Sequence, residues 1–195
     1  MRQVHPTALW WSHPMNSKSS IRKEKITERL ETAKPLRHTL SAQIATRIQS
    51  CIPVDATAAL YYPVRGEVDI LTFMEHPGTC LPAIFPPSKE LIFRETAKHQ
   101  KLEKNIYGIM QPPENYASAC PDIVIVPIVA FDRRGFRIGY GGGYYDTTLD
   151  LLRARKKITA IGAAFSFQEV EKIPEESFDH KLDMIITEKE ILEFA

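Results

Sequence analysis

Four glycines within five positions, at 139, 141, 142 and 143, are the feature that most constrains this chain. They lie in the stretch 137–146, RIGYGGGYYD, between an apolar run and an amphipathic segment. A glycine backbone approaches a ligand closely, and successive N–H groups turned inward form an anion-binding concavity. A tight turn needs only one or two such residues, so the cluster favours a phosphate-binding loop over a purely structural turn.

The segments flanking the glycines predict a strand before them and a helix after them. Residues 123–126, IVIV, indicate a buried strand, and from Tyr145 onward Leu149 and Leu152 fall on one helical face. The loop therefore leads into a helix N-terminus, whose free N–H groups and positive dipole end attract phosphate. Neither common nucleotide fingerprint fits, because Tyr144 stands where the dinucleotide motif needs its third glycine and no Gly-Lys-Ser/Thr follows.

Composition indicates a soluble chain without a global charge bias. Its 195 residues are 44% hydrophobic, and 25 basic against 24 acidic side chains give a formal charge of +1, which does not favour nucleic acid or membrane binding. Cys51, Cys80 and Cys120 form no Cys-x-x-Cys pair, which indicates free thiols in a reducing compartment. No apolar stretch has the length of a membrane span and no secretory signal is recognisable. We expect a cytoplasmic monomer.

The chain divides into an N-terminal extension and one domain. Residues 1–17 lack any apolar period, which predicts a disordered extension or a misassigned start, with Met15 as the alternative initiator. Residues 18–195 alternate strand and helix patterns. The fold class is therefore α/β, a single domain with a largely parallel sheet flanked by helices and ligands at the carboxyl ends of the strands.

Individual elements follow from periodicity and turn residues. The helical pattern runs from Lys18 through Leu30, and a second helix is predicted after a cap at Ser41. A strand at 58–62 and a helical pattern at 67–74 predict a βα unit. The remaining predictions are strands at 80–84, 90–93, 123–127 and 158–165, turns at 86–88 and 132–135, a proline-rich connection at 106–119 and a helix ending near 155.

A longer set of residues matches a family signature. Residues 127–132, PIVAFD, followed by Gly135 and then 137–146, resemble the signature of the 5-formyltetrahydrofolate cyclo-ligase family, also called methenyltetrahydrofolate synthetase. The likeness covers Lys18 to the C-terminus. Shorter matches arrive in the same order at Lys18, Arg22, Tyr61, Tyr62, Pro63, Glu67, Val68, Asp69, Leu81, Pro82, Phe178, Asp179, Leu182 and Asp183. The chain departs from the pattern at Ala83, where Arg is usual, at Gln111 in place of Glu, and at Phe178 in place of His.

The resemblance implies an ATP- and Mg²⁺-dependent ring closure of 5-formyltetrahydrofolate to 5,10-methenyltetrahydrofolate, with release of ADP and phosphate. Phosphorylation of the formyl oxygen and attack by N10 are the implied steps. Two alternatives stay open, because a phosphate loop does not identify the acceptor. One is another ATP-dependent ligase or kinase with a different acceptor. The other is a non-catalytic nucleotide- or folate-binding module.

The resemblance also implies a set of site residues. Arg137, Tyr144 and Asp146 are the expected catalytic residues, and Asp146 and Asp183 are the expected Mg²⁺ ligands. The expected ATP-binding residues are Lys18, Arg22, Arg137, Ile138, Gly139, Tyr140, Gly141, Gly142, Gly143, Tyr144 and Tyr145. The expected folate-binding residues are Tyr62, Glu67, Tyr140, Gly141, Gly142, Gly143 and Tyr144.

Each charged candidate also has a purely structural interpretation. Lys18 and Arg22, spaced i, i+4, lie on one helix face that is either turned toward the triphosphate or solvated. Asp146 and Glu67 each have the alternative role of a first-turn helix acid. The alternative for Asp183 is a strand-end turn, and one of the two tyrosines at 61 and 62 is expected to pack in the sheet.

Overall fold

Two helices precede the first strand, as the sequence predicts. The structure is a computed structural model that describes residues 17–71, 77–96, 101–176 and 179–194. Its helices are α1 (Lys18–Glu31), α2 (Lys34–Cys51) and α3 (Tyr144–Arg155). Its strands are β1 (Ala58–Ala59), β2 (Thr79–Ile84), β3 (Leu91–Glu95), β4 (Glu103–Lys104), β5 (Met110–Gln111), β6 (Ile123–Pro127), β7 (Ala130–Phe131), β8 (Arg137–Ile138), β9 (Thr159–Ala163), β10 (Met184–Ile186) and β11 (Ile191–Glu193).

Seven strands form one sheet in the order β11-β10-β9-β6-β1-β2-β3. The five inner strands are parallel to one another, and the two edge strands β3 and β11 run antiparallel to their neighbours. The apolar run at 123–127 therefore occupies the middle of the sheet, between β1 and β9. The predicted α/β class with a largely parallel sheet is confirmed.

The helices cover both faces of the sheet and one end of it. Side chains along β6 alternate between two core clusters, which places Ile125 with α2 and Val126 with α3. On α1, Ile21 packs in a third cluster with Ile138 and other residues of the β7–β8 hairpin region that follows the carboxyl end of β6. The site is thus assembled where α1, the hairpin and the carboxyl ends of the parallel strands meet.

The predicted cap at Ser41 is wrong, because α2 begins earlier. Its N-cap is Ala33, and Pro35 occupies the first turn, where a missing N–H costs nothing. Ser41 lies buried in the middle of the helix, and its Oγ accepts a hydrogen bond of 3.0 Å from the backbone N–H of Asp69. The hydroxyl serves a loop from another part of the chain instead of its own helix.

The helix predicted at 67–74 is also wrong over its described part, because residues 67–70 are irregular. Arg65 and Gly66 have φ of 48° and 74°, so the chain turns just before this segment. Val68 and Ile70 are buried while Asp69 is exposed, and this alternation suits extended backbone. Residues 72–76 lie outside the described part of the chain.

Other boundaries shift without changing the topology. The first strand is Ala58–Ala59 instead of 58–62, and the predicted strand at 158–165 is Thr159–Ala163. The proline-rich connection contains β5, which pairs with β4. Of the predicted extension at 1–17 only Ser17 is described, and it caps α1 by accepting a hydrogen bond from the N–H of Ser20.

All three cysteines are free, as predicted. None of the three helices in the described ranges is long and apolar enough to cross a membrane.

A fully buried carboxylate fixes the β7–β8 hairpin that leads to the glycines. Asp132 has no exposed surface, and its side chain accepts hydrogen bonds from the backbone N–H groups of Arg134 (2.9 Å) and Ile173 (2.9 Å). The Arg134 guanidinium pairs with it at 2.7 Å. The carboxylate therefore satisfies backbone donors from two separate segments of the chain.

We expect Asp132→Ala to lower the free energy of unfolding by about 3–5 kcal/mol, because buried donors lose their acceptor. Chemical denaturation followed by circular dichroism measures the change. Asp150→Ala is the control, since Asp150 is exposed and pairs only with His180 at 2.9 Å in the described contacts. Equal losses in the two variants would contradict the assignment.

Candidate active site

The glycine segment connects β8 to the N-terminus of α3. Gly143 is the N-cap of α3, with φ of +75°, and Gly141 has φ of +91°. Both conformations lie in the left-handed region that favours glycine. The segment therefore adjoins the N-terminal N–H groups of a helix, which is the geometry that anion binding requires.

Arg137 and Asp146 form an ion pair at this helix start. The Arg137 side chain is only 6% exposed, and its Nη2 donates to Asp146 Oδ1 at 2.6 Å. Its Nη1 donates to the carbonyl oxygen of His180 at 2.8 Å. The guanidinium is thus fixed at the edge of the glycine segment and tied to the chain at residue 180.

Lys18 and Arg22 of α1 face the site but already have hydrogen-bond partners. Lys18 Nζ bonds Glu176 at 2.6 Å and Asp179 at 2.5 Å. Partial burial lowers the pKa of Lys18, but these hydrogen bonds outweigh it, so the pKa is raised above its ordinary value. Arg22 Nε donates to the carbonyl oxygen of Gly139 at 2.7 Å. A solvated basic face does not describe this pair, because both heads point toward the site segments.

Asp183 has partners other than Asp146 among the described contacts. Its Oδ2 accepts hydrogen bonds from Arg153 Nη2 at 3.0 Å and from the Ala160 N–H at 2.7 Å. Arg153 lies seven residues along α3 from Asp146, which is roughly 10 Å at a rise of 1.5 Å per residue. Within the described ranges no cluster of three or more His, Cys, Asp or Glu side chains is arranged to hold a metal ion.

Asp179 is the carboxylate that sequence reasoning missed on this side. Arg137 joins Asp146 to the carbonyl oxygen of His180, the residue that follows Asp179. Lys18 holds the Asp179 side chain next to that junction. The sequence signal was present, since Asp179 belongs to the flanking family matches, but spacing alone does not tell it from Asp183.

Glu67 is buried beside the glycine segment. Its Oε2 accepts a hydrogen bond of 2.9 Å from the Val64 N–H, and the side chain has little exposed surface. Burial raises the pKa of Glu67 to about 7, against the lowering effects of the Val64 hydrogen bond, of Arg29 and of a hydrogen bond from Tyr140. A carboxyl group that titrates near neutrality can donate or accept a proton at a bound ligand.

Arg29 is the second residue that sequence reasoning missed. It has no exposed surface, and its Nη2 donates to the hydroxyl oxygen of Tyr140 at 2.5 Å. The Arg65 guanidinium also lies over the Tyr140 ring, 5.4 Å from the ring centroid. The signal was the continuation of the Lys18 and Arg22 spacing along the same face of α1.

The tyrosines divide between packing and the site. Tyr61 is buried and donates to the Val68 carbonyl oxygen at 2.8 Å, so it is the packed member of its pair, while Tyr62 is half-buried. Tyr144 and Tyr107 approach each other at 2.9 Å between hydroxyl oxygens. Tyr145 packs against the α3 core cluster.

Two of the three departures from the family pattern lie in strands. Ala83 is fully buried in β2, and Gln111 Oε1 accepts a hydrogen bond of 2.9 Å from the Ile84 N–H, which joins β5 to β2. Phe178 lies outside the described residues.

The sequence and the α/β fold of this chain are similar to those of known proteins. The sequence profile of the 5-formyltetrahydrofolate cyclo-ligase family matches residues 14–188, and the chain belongs to that family. The 5-formyltetrahydrofolate cyclo-ligase of Escherichia coli is 32% identical over 167 residues, covering 80% of this chain and 91% of that protein. The Haemophilus influenzae protein of the same name is 34% identical over 131 residues, covering 62% and 70%.

Solved structures agree with the fold. The structure of Aquifex aeolicus 5,10-methenyltetrahydrofolate synthetase superposes with a TM-score of 0.75 at 31% identity, covering 90% of this chain and 92% of that one. A 5,10-methenyltetrahydrofolate synthetase from Mycoplasma pneumoniae gives a TM-score of 0.70 at 22% identity, covering 88% and 98%, which supports the fold alone. The family resemblance seen in the sequence is confirmed.

We expect Glu67→Gln to remove a pH-dependent stability term. In the folded wild type the carboxyl pKa is about 7, above its ordinary value of 4.5, so the folded state holds the proton more tightly than the unfolded state. The stabilisation from this group is complete below about pH 4.5 and is lost as the pH rises through 7. Relative to the variant, the wild type should lose on the order of 3 kcal/mol across this range.

Denaturant titrations of both proteins between pH 4.5 and 8 measure this difference. Glu24→Gln, at an exposed position on α1, is the control and should track the wild type. Parallel stability curves for the wild type and Glu67→Gln would contradict the burial argument.

Proposed function

We propose that the protein converts 5-formyltetrahydrofolate to 5,10-methenyltetrahydrofolate with ATP as co-substrate, releasing ADP and phosphate. Family membership supports the reaction. The observation that carries the proposal for this chain is the placement of the glycine-lined N-terminus of α3 beside the buried Glu67, with Tyr140 bridging them. A phosphate site and a proton-exchanging acceptor site thereby adjoin each other.

The chemical problem is the formyl oxygen, which is a poor leaving group. Its lone pair attacks the γ-phosphorus of ATP, the bond to the β-bridging oxygen breaks, and ADP leaves. N10 then attacks the activated formyl carbon and forms the new C–N bond. The carbon–oxygen bond breaks, phosphate departs, and N10 gives up its proton. The protein contributes positioning and charge neutralisation and needs no covalent nucleophile.

On the nucleotide side, we assign the phosphates to the backbone N–H groups of 139–143 and to Arg22 and Arg137. Ile138, Tyr144 and Tyr145 flank this segment, and Lys18 completes the basic face of α1. Arginine presents a planar fork of donors that matches phosphate oxygens. Arg137 and Tyr144 lie at the two ends of the segment, where the transferred group passes from one ligand to the other.

Asp146 fits a Mg²⁺ ligand by its chemistry. Its carboxylate supplies hard oxygens at the helix start, and Mg²⁺ in nucleotide sites commonly binds one or two carboxylates together with substrate phosphates. The bound ion supplies neutralisation of the phosphate charge. Asp183 is not part of this proposal, because Arg153 and the Ala160 N–H already engage its carboxylate away from Asp146.

On the folate side, we assign the pterin N–H groups to Glu67 and the pterin flank to Tyr62 and to the segment from Tyr140 to Tyr144. The Glu67 carboxyl is buried and accepts a backbone hydrogen bond from the Val64 N–H, and its remaining lone pairs can accept a hydrogen bond from a ligand N–H. We further propose a cytoplasmic monomer without a nucleic-acid or membrane partner. Three free cysteines and a formal charge of +1 support this assignment.

The direct test is turnover. Purified protein with 5-formyltetrahydrofolate and Mg-ATP should accumulate the methenyl product, followed by its absorbance, with one ADP formed for each product. Omission of ATP or addition of EDTA should stop the reaction. Undiminished product formation without nucleotide would overturn the proposal. ATP hydrolysis without methenyl product would indicate a different acceptor, and ligand binding without turnover would indicate a binding module.

We expect Arg22→Ala to weaken ATP more than folate, because a charge-assisted contact to phosphate contributes roughly 1.5–3 kcal/mol, or about 10- to 100-fold in affinity. Calorimetric titration with a non-hydrolysable ATP analogue measures the loss, and 5-formyltetrahydrofolate should bind within about threefold of wild type. The difference should shrink at high salt.

Lys23→Ala is the matched control for this variant. It removes the same charge from the adjacent, exposed position of α1. If both variants bind the ATP analogue equally weakly, the overall positive charge of the helix explains the loss. The direct assignment of Arg22 would then be refuted.

A further inference from the structure

Arg29 connects three separate segments of the site through one side chain. Nε donates to the Arg65 carbonyl oxygen at 3.1 Å, and Nη1 donates to the Ile128 carbonyl oxygen at 3.0 Å. Nη2 donates to the Tyr140 hydroxyl at 2.5 Å. The first segment carries Glu67, the second directly follows β6, and the third is the glycine segment.

Burying the Arg29 guanidinium costs free energy, so its place in the fold calls for a functional reason. A guanidinium without exposed surface has lost its hydration, its three hydrogen bonds go to neutral oxygens, and the Glu67 carboxyl is a nearby group that interacts with its charge. On the same helix, Ile21 reaches the core with an apolar side chain. Packing alone therefore does not require a charged residue on α1.

The three contacts lie between the two proposed ligands. Arg65 precedes Glu67 by two residues, and Tyr140 stands between Gly139 and Gly141 of the proposed phosphate loop. We propose that Arg29 is a positioning residue, whose planar fork holds the Glu67 loop and the glycine segment at a fixed separation so that the formyl oxygen meets the γ-phosphate. This role rests on the proposed function.

Fork geometry, and not charge alone, is what the role requires. Arginine offers N–H donors in fixed directions within one plane, whereas lysine offers a single ammonium head. A lysine at position 29 keeps the positive charge, but its three donors radiate from one nitrogen and cannot reach acceptors that Arg29 bonds through three separate nitrogens. Arg29→Lys therefore separates positioning from electrostatics.

The kinetic experiment compares Arg29→Lys, Tyr140→Phe and the double variant with the wild type, well below their unfolding midpoints. We expect Arg29→Lys to lower kcat by about 10- to 100-fold while KM for each substrate stays within about threefold, because misplacement by about 1 Å costs rate more than binding. The double variant should lose less than the product of the single losses, since both remove the same Arg29–Tyr140 contact. Independent, multiplying losses or a wild-type kcat in Arg29→Lys would overturn the proposal.

Amide hydrogen exchange on the ligand-free protein tests the same idea without turnover. Arg29→Lys should speed exchange in residues 64–69 and 137–143 together, while the central strands stay protected. Arg47→Lys is the control, because Arg47 also donates to a backbone carbonyl, that of Glu188 at 3.1 Å, but touches neither segment. Faster exchange in only one segment, or the same change in the control, would refute the linkage.

The kinetic and hydrogen-exchange experiments distinguish failure of the proposed function from failure of the role assigned to Arg29. A wild-type protein without turnover would refute the proposed function, and the exchange arm would still decide whether Arg29 joins the segments. If Arg29→Lys does not fold, Tyr140→Phe alone carries the test, because it removes only a hydroxyl. It should then show the same fall in kcat without a matching rise in KM.

Discussion

Hydrogen bonds from one face of α1 to loop carbonyls hold the site together. Arg22 bonds Gly139, Lys25 bonds Phe167 at 2.7 Å, and Arg29 bonds Arg65 and Ile128. Loops at the carboxyl ends of parallel strands have carbonyl groups without ladder partners, and buried ones must be satisfied. A single helix with inward cations satisfies several of these loops at once. The positions of the glycine segment and of Glu67 both depend on this helix.

The sequence predicts the scaffold well because the scaffold rests on local patterns. The apolar run at 123–127 gives the central strand, and the glycines before Tyr144 give the start of α3. Ser41 was misplaced because a serine that caps a helix and one that bonds a distant loop look the same in sequence. The helix predicted over 67–70 was wrong because the apolar residues fit both patterns. Val68 and Leu71 have helical spacing, whereas Val68 and Ile70 have the spacing of a strand.

The sequence predicts site residues only where they belong to one short, continuous motif. The glycine motif places Arg137 and Asp146 nine residues apart, and the hairpin together with the helix start brings them to 2.6 Å. Asp179 and Asp183 lie close together in the sequence, and only tertiary packing shows which of them contacts Lys18. The spacing along α1 includes Arg29, but its burial was not predictable, since burial of a charged helix residue is set by loops far away in sequence.

Ion pairs within the site explain how it can accept a highly charged ligand. Arg137 is paired with Asp146, and Lys18 with Asp179 and Glu176, so neither cation is held bare in a partly buried site. On the proposed function, phosphate oxygens would take over the Arg137 donors, and the released carboxylate of Asp146 would be able to hold Mg²⁺. This exchange of partners leaves neither the Arg137 guanidinium nor the Asp146 carboxylate without a group of opposite charge.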